Sequence, residues 1–441
     1  MNCLHVPKIL LPKEGIDLSK WAVIACDQFT SQKEYWEETE RIVGDLPSTL
    51  HLILPEVYLG AADEEKRVCN IHKNMDDYLS EGILQPLDRG FVLVERGIQK
   101  EHARNGLVVE VDLETYEYKK GARSLIRPTE MTVEERIPPR LRVRQQATLE
   151  LPHIMLLIDD KERTVIEPLM AKREQYKVLY DTKLMQNGGH LKGWFIPEGE
   201  ETDQIMSRVE ALTKEQVNLA VGDGNHSMAT AKAAWENIKA NLSEEEKQTH
   251  PARYCLCEIV NIHDDSLEIE PIHRVLFHVD EKELLQEALD YFKDMGAECK
   301  IENVTQYREP AAPKKMHQFT ICSETGMKMM TVTNPQTGIA VAGIQSFLDT
   351  YLKEHTDTKI DYIHGKDVVE QLGCQKGNMG FFLPDIKKED LFIGVMKDGV
   401  LPRKTFSMGE ANEKRYYMEC KHAGDPGHRL SAGVSHHHFR A

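Results

Sequence analysis

Val217-Asn-Leu-Ala-Val-Gly222 runs into Asp223-Gly-Asn-His-Ser227 and then into Met228-Ala-Thr-Ala-Lys-Ala-Ala-Trp235. A short apolar run of β-formers ends at glycines, and an alanine-rich helix opens at once. The free N–H groups of a helix's first turn, reinforced by its dipole, suit an anion such as phosphate. Gly and Asn are ordinary turn residues at such a junction, and Asp or Ser is an ordinary cap. Capping needs only one side chain, however. Here an acid, an amide and an imidazole share four positions, with Gly224 letting the backbone approach a ligand. A His–Asp cluster of this kind serves acid–base or ion-handling chemistry. Asp223 and His226 are therefore the leading catalytic candidates, with Gly224, Asn225 and Ser227 shaping a phosphate or nucleotide site.

Composition narrows the partners. The chain of 441 residues is long enough for two or more domains, and its net charge of −17 argues against a broad electropositive face for nucleic acid. Arginines gather only between positions 123 and 144. No apolar stretch reaches membrane-spanning length, and the first residues lack a secretory pattern, so no membrane partner is expected. The nine cysteines are scattered, and Cys255-Leu-Cys257 has the spacing of neither a zinc knuckle nor a thioredoxin-type pair. Reduced thiols in the cytoplasm are the simplest expectation. His436-His-His438 reads as a frayed polar tail.

Around the opening stretch the chain alternates short strands and helices, an α/β, mixed α+β class. Trp21-Ala-Val-Ile-Ala25 predicts a buried strand, 32–42 a helix, and 51–58, 91–95 and 106–112 further strands, the last leading into a hairpin at Tyr116 and Tyr118. A Pro- and Arg-rich crossing over 123–152 precedes Ile154-Met-Leu-Leu-Ile158. Residues 253–261 read as a strand, and a helix over 281–295 with strands near 318–322 and 328–332 resembles a small α+β module. The expected division is 1–275 for the domain carrying the Asp-Gly-Asn-His turn, 276–345 for the small module, and 346–441 for a segment returning to the main domain. Asn187-Gly-Gly-His190 is a loop suited to a hairpin or a lid.

Read in order, several segments resemble the bacterial family called domain of unknown function 1015. Asp223-Gly-Asn-His-Ser227 is similar to its Asp-Gly-His-His-Arg turn at the first, second and fourth positions. Gly106-Leu-Val-Val with Tyr116, Thr129-Glu-Met-Thr132 with Arg140, Pro271-Ile-His-Arg274, Tyr362-Ile-His364 and Pro402-Arg-Lys-Thr405 look like its other segments. The turn also resembles the signature of the ParB-like superfamily, which includes free serine kinases and sulfiredoxin and binds nucleotide phosphates. This second resemblance implies a ParB-like α/β core with additional α+β segments. Two positions depart from the pattern: Ser227 stands where the signature has Arg, and Thr129 where it has His. A phosphate clamp is thus missing at its usual place, to be supplied by Arg140, Arg274 or Lys404.

The resemblance implies nucleotide-dependent phosphoryl transfer to or from a small hydroxylated metabolite, serine or phosphoserine leading, with Mg²⁺ and ATP or ADP as cofactors. Phosphoryl transfer needs cations on the phosphates, a metal on carboxylate and a base for the nucleophile. Asp223 suits the metal. Asp223, His226 and Glu130 form the expected catalytic set, and Arg140, His273, Arg274 and Lys404 the charge-neutralising one. Each has a plainer reading: Glu130 as an exposed loop acid, His273 and Arg274 as partners of Glu268 or Glu270, Lys404 as a solvated turn. Two other functions stay open, a non-catalytic nucleotide-binding regulator and a metal-dependent hydrolase built on His226, Asp223 and His273. A homodimer is open as the assembly. No dinucleotide fingerprint, Walker loop, zincin helix or Gly-x-Ser-x-Gly elbow occurs.

Overall fold

The computed structural model of the chain describes residues 2–99, 102–214, 219–402, 404–408 and 413–424. Val217 and Asn218 of the opening run, Arg403 and the His436–438 triplet lie outside the described residues. The architecture is mixed α+β. The chain divides into two compact units, one formed by Met1–Leu267 with Gly409–Ala441, the other by Glu268–Met408.

The first unit is built on a nine-stranded mixed sheet. In chain order its strands are Leu4–His5 (β1), Gly90–Gln99 (β2), His102–Asp112 (β3), Ile126–Arg127 (β4), Met155–Ile158 (β5), Lys177–Leu184 (β6), Gly189–Pro197 (β7), Leu219–Asp223 (β8) and Tyr254–Asn261 (β9). Their spatial order is β4-β8-β5-β9-β3-β2-β7-β6, with β1 alongside β3. β8 runs parallel to β4 and β9 parallel to β5; the other pairs are antiparallel. The tight connection between β6 and β7 is 185–188, and Gly189 and His190 already pair within β7.

Strand side chains alternate between two cores, as a period of two requires. Phe91, Leu93, Leu107, Val109, Cys255 and Cys257 enter one core; Val92, Val94, Val108 and Leu256 enter the other. Helices Glu200–Lys214 (α4) and Asn225–Lys239 (α5) supply Ile205, Val209, Met228 and Trp235 to the first. Helices Lys33–Val43 (α1) and Glu64–Ser80 (α2) supply Trp36, Ile71 and Met75 to the second. A further helix, Ile137–Gln145 (α3), packs against α5.

Two expectations change here. Residues 51–58 form two 3₁₀ turns, Thr49–Leu52 and Glu56–Tyr58, rather than a strand. Ser48 caps the first through Leu50 N, and Pro55, which lacks an amide proton, separates the two. Trp21 ends a short helix, and the fully buried 22–25 segment is extended but joins no sheet. It pairs instead with residues 415–417: Ala25 N donates to Arg415 O, Tyr417 N to Val23 O, and Trp21 Nε1 to Met418 O. The polypeptide thus returns to the first unit after the second is complete.

The second unit has a six-stranded antiparallel sheet of His273–Phe277 (β10), Glu298–Val304 (β11), Met316–Ser323 (β12), Gly326–Thr333 (β13), Lys359–Ile363 (β14) and Asn378–Phe382 (β15), ordered β11-β13-β12-β15-β10-β14. Helix Glu281–Asp294 (α6) starts where the acidic–apolar pattern puts it, capped by Asp280. Helices Ala340–Glu354 (α7) and Lys366–Gly373 (α8) follow.

Candidate functional site

β8 ends in a register shift opposite Met155, where Gly222 lets the strand bulge before Asp223. Gly224 then takes a left-handed conformation, φ 88°, and caps α5 with no side-chain hydrogen bond. A Cβ at this position would sit 3.1–3.2 Å from Ile154, so glycine is required by both backbone and space. The amides of Asn225, His226 and Ser227 therefore open α5 without a side-chain cap, the arrangement that attracts anions.

Asn225 does not face outward alone. Its Oδ1 accepts Thr129 N at 3.2 Å, its Nδ2 donates to Thr129 Oγ1 at 3.1 Å, and that hydroxyl donates to Val221 O at 2.7 Å. Thr129, where the resembling family has histidine, pins the 126–133 segment to the turn. His226 Nε2 accepts Val133 N at 3.3 Å, so the ring's proton sits on Nδ1. Burial and the charges of Arg140 and Arg136 lower its pKa, and the positive end of α5 works in the same direction. A neutral imidazole is held there.

Asp223 retains some exposed surface, but its Oδ2 atom is buried with no hydrogen-bond partner among the described residues. Burial raises its pKa; Lys414 and His153 pull it down, and Asp27 pushes it up. Sequence reasoning missed Asp27. Only its place directly after the buried 22–25 run offered a signal. His153, also missed, joins Tyr417 through Nδ1 at 2.9 Å, and the Tyr417 hydroxyl accepts Cys26 N at 3.0 Å. His153 Nε2 lies 4.0 Å from Asp27 Oδ2. Glu56 is the third unforeseen residue and the second acid among them. Burial raises its pKa against the pull of Arg140.

Asp27, Glu56, His153 and Tyr417 border a recess of about 150 Å³ that also takes in Ser227 and Thr230 of α5, while Asp223 lies outside its lining. Arg140, on α3, is bound to Glu56 Oε1 through Nε at 2.8 Å and Nη2 at 2.5 Å, and to Arg136 O through Nη1 at 2.6 Å. Glu130 is exposed beside Thr129.

The remaining expected residues belong to the second unit. Arg274 is fully buried; its Nε donates to Gln345 Oε1 at 3.0 Å, Nη1 donates to Ile272 O, and the guanidinium lies 4.9 Å over the Tyr362 ring. Burial lowers its pKa to about 10. His273 accepts Leu383 N at 3.0 Å through Nδ1, and burial, Lys366 and Arg274 lower its pKa to about 4. Lys404 is exposed, with φ 56°.

The family model described as "Protein of unknown function (DUF1015)" matches residues 10–351. No curated protein matches the chain. Among solved structures, a point mutant of a free serine kinase in complex with AMP is 12% identical, with TM-score 0.38, covering 73% of this chain and 93% of that one. A conserved hypothetical protein from Pyrococcus furiosus is 12% identical at TM-score 0.34, covering 71% and 92%. SbnI with a C-terminal truncation, from Staphylococcus aureus, is 9% identical at TM-score 0.33, covering 68% and 82%.

Proposed function

The chain belongs to the DUF1015 family, and from that premise we propose that it binds a nucleotide at the start of α5 and transfers phosphate to or from a small hydroxylated metabolite. Serine or phosphoserine is the first candidate. One observation carries the reading: a buried carboxylate oxygen without a partner among the described residues, Asp223 Oδ2, immediately precedes a helix start that no side chain caps.

The residues fit Mg²⁺. Hard cations select oxygen ligands, and the unpartnered Asp223 Oδ2 is such an oxygen. Asp223 would hold the ion, whose charge offsets that of the phosphates. The amides of Asn225, His226 and Ser227 bind phosphate oxygens, with Gly224 allowing the close approach. His226, neutral, and Glu130, exposed, remain the proton-handling candidates from this stretch. Arg140 adds positive potential next to His226 although Glu56 already binds it. Arg274 and His273 are committed within the second unit, so the phosphate contacts are assigned to the first unit, with Lys404 an exposed cation that a variant can test.

Because Ser227 replaces an arginine and Arg140 is occupied, a nucleotide-binding regulator without turnover is the second reading. Titration of the full chain with ADP and Mg²⁺, followed by assay of phosphate transfer with serine and phosphoserine, separates the two. Saturable binding with product supports transfer, and binding without product supports the regulator. No binding of any nucleotide would sink both.

A further inference from the structure

The recess bordering Asp27 and Ser227 has a chemical character of its own. Leu52, Leu54, Leu59, Met75, Val143 and Leu149 make up its apolar wall. Its arginines are already neutralised: Arg140 by Glu56 at 2.5 Å and Arg144 by Glu150 at 2.9 Å. A ligand entering here meets hydrocarbon, closed ion pairs and one further carboxylate, Asp27. Among the described lining carboxylates, Asp27 is the one not joined to an arginine; it lies 4.0 Å from His153, and its charge reaches both Asp223 and His226 at the start of α5.

We propose that this recess is the acceptor subsite and that it takes a hydroxylated metabolite with an uncharged apolar body, its hydroxyl directed to Asp27. The inference rests on the phosphoryl-transfer reading above and names the substrate class for it. An apolar cavity of similar size accepts a benzene-sized guest, so the body fits about five or six carbon atoms. In the transfer, the acceptor hydroxyl oxygen forms a bond to the terminal phosphorus of the nucleotide. The bond from that phosphorus to its bridging oxygen breaks, with the electron pair leaving on the nucleotide, and the hydroxyl proton passes to the Asp27 carboxylate. His153 is a positioning residue: held by Tyr417, it fixes which side of Asp27 faces the ring.

The class departs from the serine named first above: Asp27 suits its ammonium, but the arginines of the wall are closed in ion pairs and leave its carboxylate without a cation. The test uses the full chain with Mg²⁺ and ADP, and straight-chain primary alcohols from ethanol to hexanol as probes, measured by ligand-observed NMR. Affinity is expected to tighten roughly fourfold per added methylene until the recess is full. Val143→Trp, or Leu149→Phe should that variant fail to fold, is expected to abolish the gain while leaving ADP affinity within about twofold. A flat series, or alcohol binding indifferent to both variants, overturns the subsite. A parallel loss of ADP affinity also overturns it, because the recess would then hold the nucleobase. A rising series in a chain that binds no ADP keeps the recess as an apolar site and fails the phosphoryl-transfer reading instead.

Discussion

At Asp223 burial disfavours the ionised carboxylate, Lys414 offsets part of that penalty, and the charge of Asp27 restores it. The folded-state pKa therefore lies above the unfolded value, and the folded protein binds more protons between the two. Stability contributed by this group falls as pH rises through that window, so at neutral pH the ionised Asp223 is a burden on the fold. Asp223→Asn is expected to raise the melting temperature, by roughly 1 kcal/mol of added stability, while abolishing phosphate transfer and magnesium binding. A lower melting temperature would show that the carboxylate has a structural partner. The Asp27 contribution can be read separately: in Asp27→Asn, the Asp223 carboxyl is expected to titrate at lower pH than in the parent chain by NMR. An unmoved titration would mean the two acids do not sense each other.

Among elements, the junction of β8 and α5 is the most constrained. Gly224→Ala places a side chain at φ 88° and at 3.1 Å from Ile154, so a loss of about 1–3 kcal/mol is expected on chemical denaturation. A loss within 0.5 kcal/mol would mean the turn relaxes freely. Phosphate affinity is expected to fall with it, because the α5 amides depend on that turn. This junction was legible in the sequence because local rules decide it: an apolar run, glycines, then alanines. So were β2 and β3, as short apolar runs buried on both faces, and α6, by its period of 3.6. His51-Leu-Ile-Leu-Pro-Glu-Val-Tyr58 imitates a strand by alternation, but Ser48 and Pro55 turn it into two tight turns. The candidate site was legible only on its α5 side. Asp27, Glu56 and His153 reach it from separate segments, and no spacing rule links an acid after a buried run to a histidine more than a hundred residues later.

Across the whole molecule, the two units respond to acid through different groups. In the first, burial alone would push Glu150 up, but Arg144 and Lys421 outweigh it and hold the carboxyl at about 2. Its stabilising effect is present above the ordinary carboxylate range and is lost as pH falls towards 2. Glu150→Gln leaves Arg144 and Lys421 buried with one acid fewer, and a destabilisation of about 3–5 kcal/mol is expected. A cost under 1 kcal/mol would show that Glu110 alone satisfies Lys421. In the second unit, His273 is held neutral down to about 4. The unfolded chain takes up that proton from about 6.5 downward, so this unit loses stability as pH drops between those values. Hydrogen exchange at pH 5 against pH 7 is expected to show protection falling along β10 while the strands around Glu150 hold. The reverse order would contradict this assignment.

The late pairing of residues 415–417 with the 22–25 segment has a consequence for biosynthesis. During translation, Cys26 and Asp27 emerge some 390 residues before Tyr417, the partner of Cys26 N. The ribosome must therefore release almost the entire polypeptide before the recess acquires its last wall. Until then Trp21, Val23 and Ile24 lack that cover, and premature termination anywhere in the second unit yields a product without Tyr417, the partner of Cys26 N and His153.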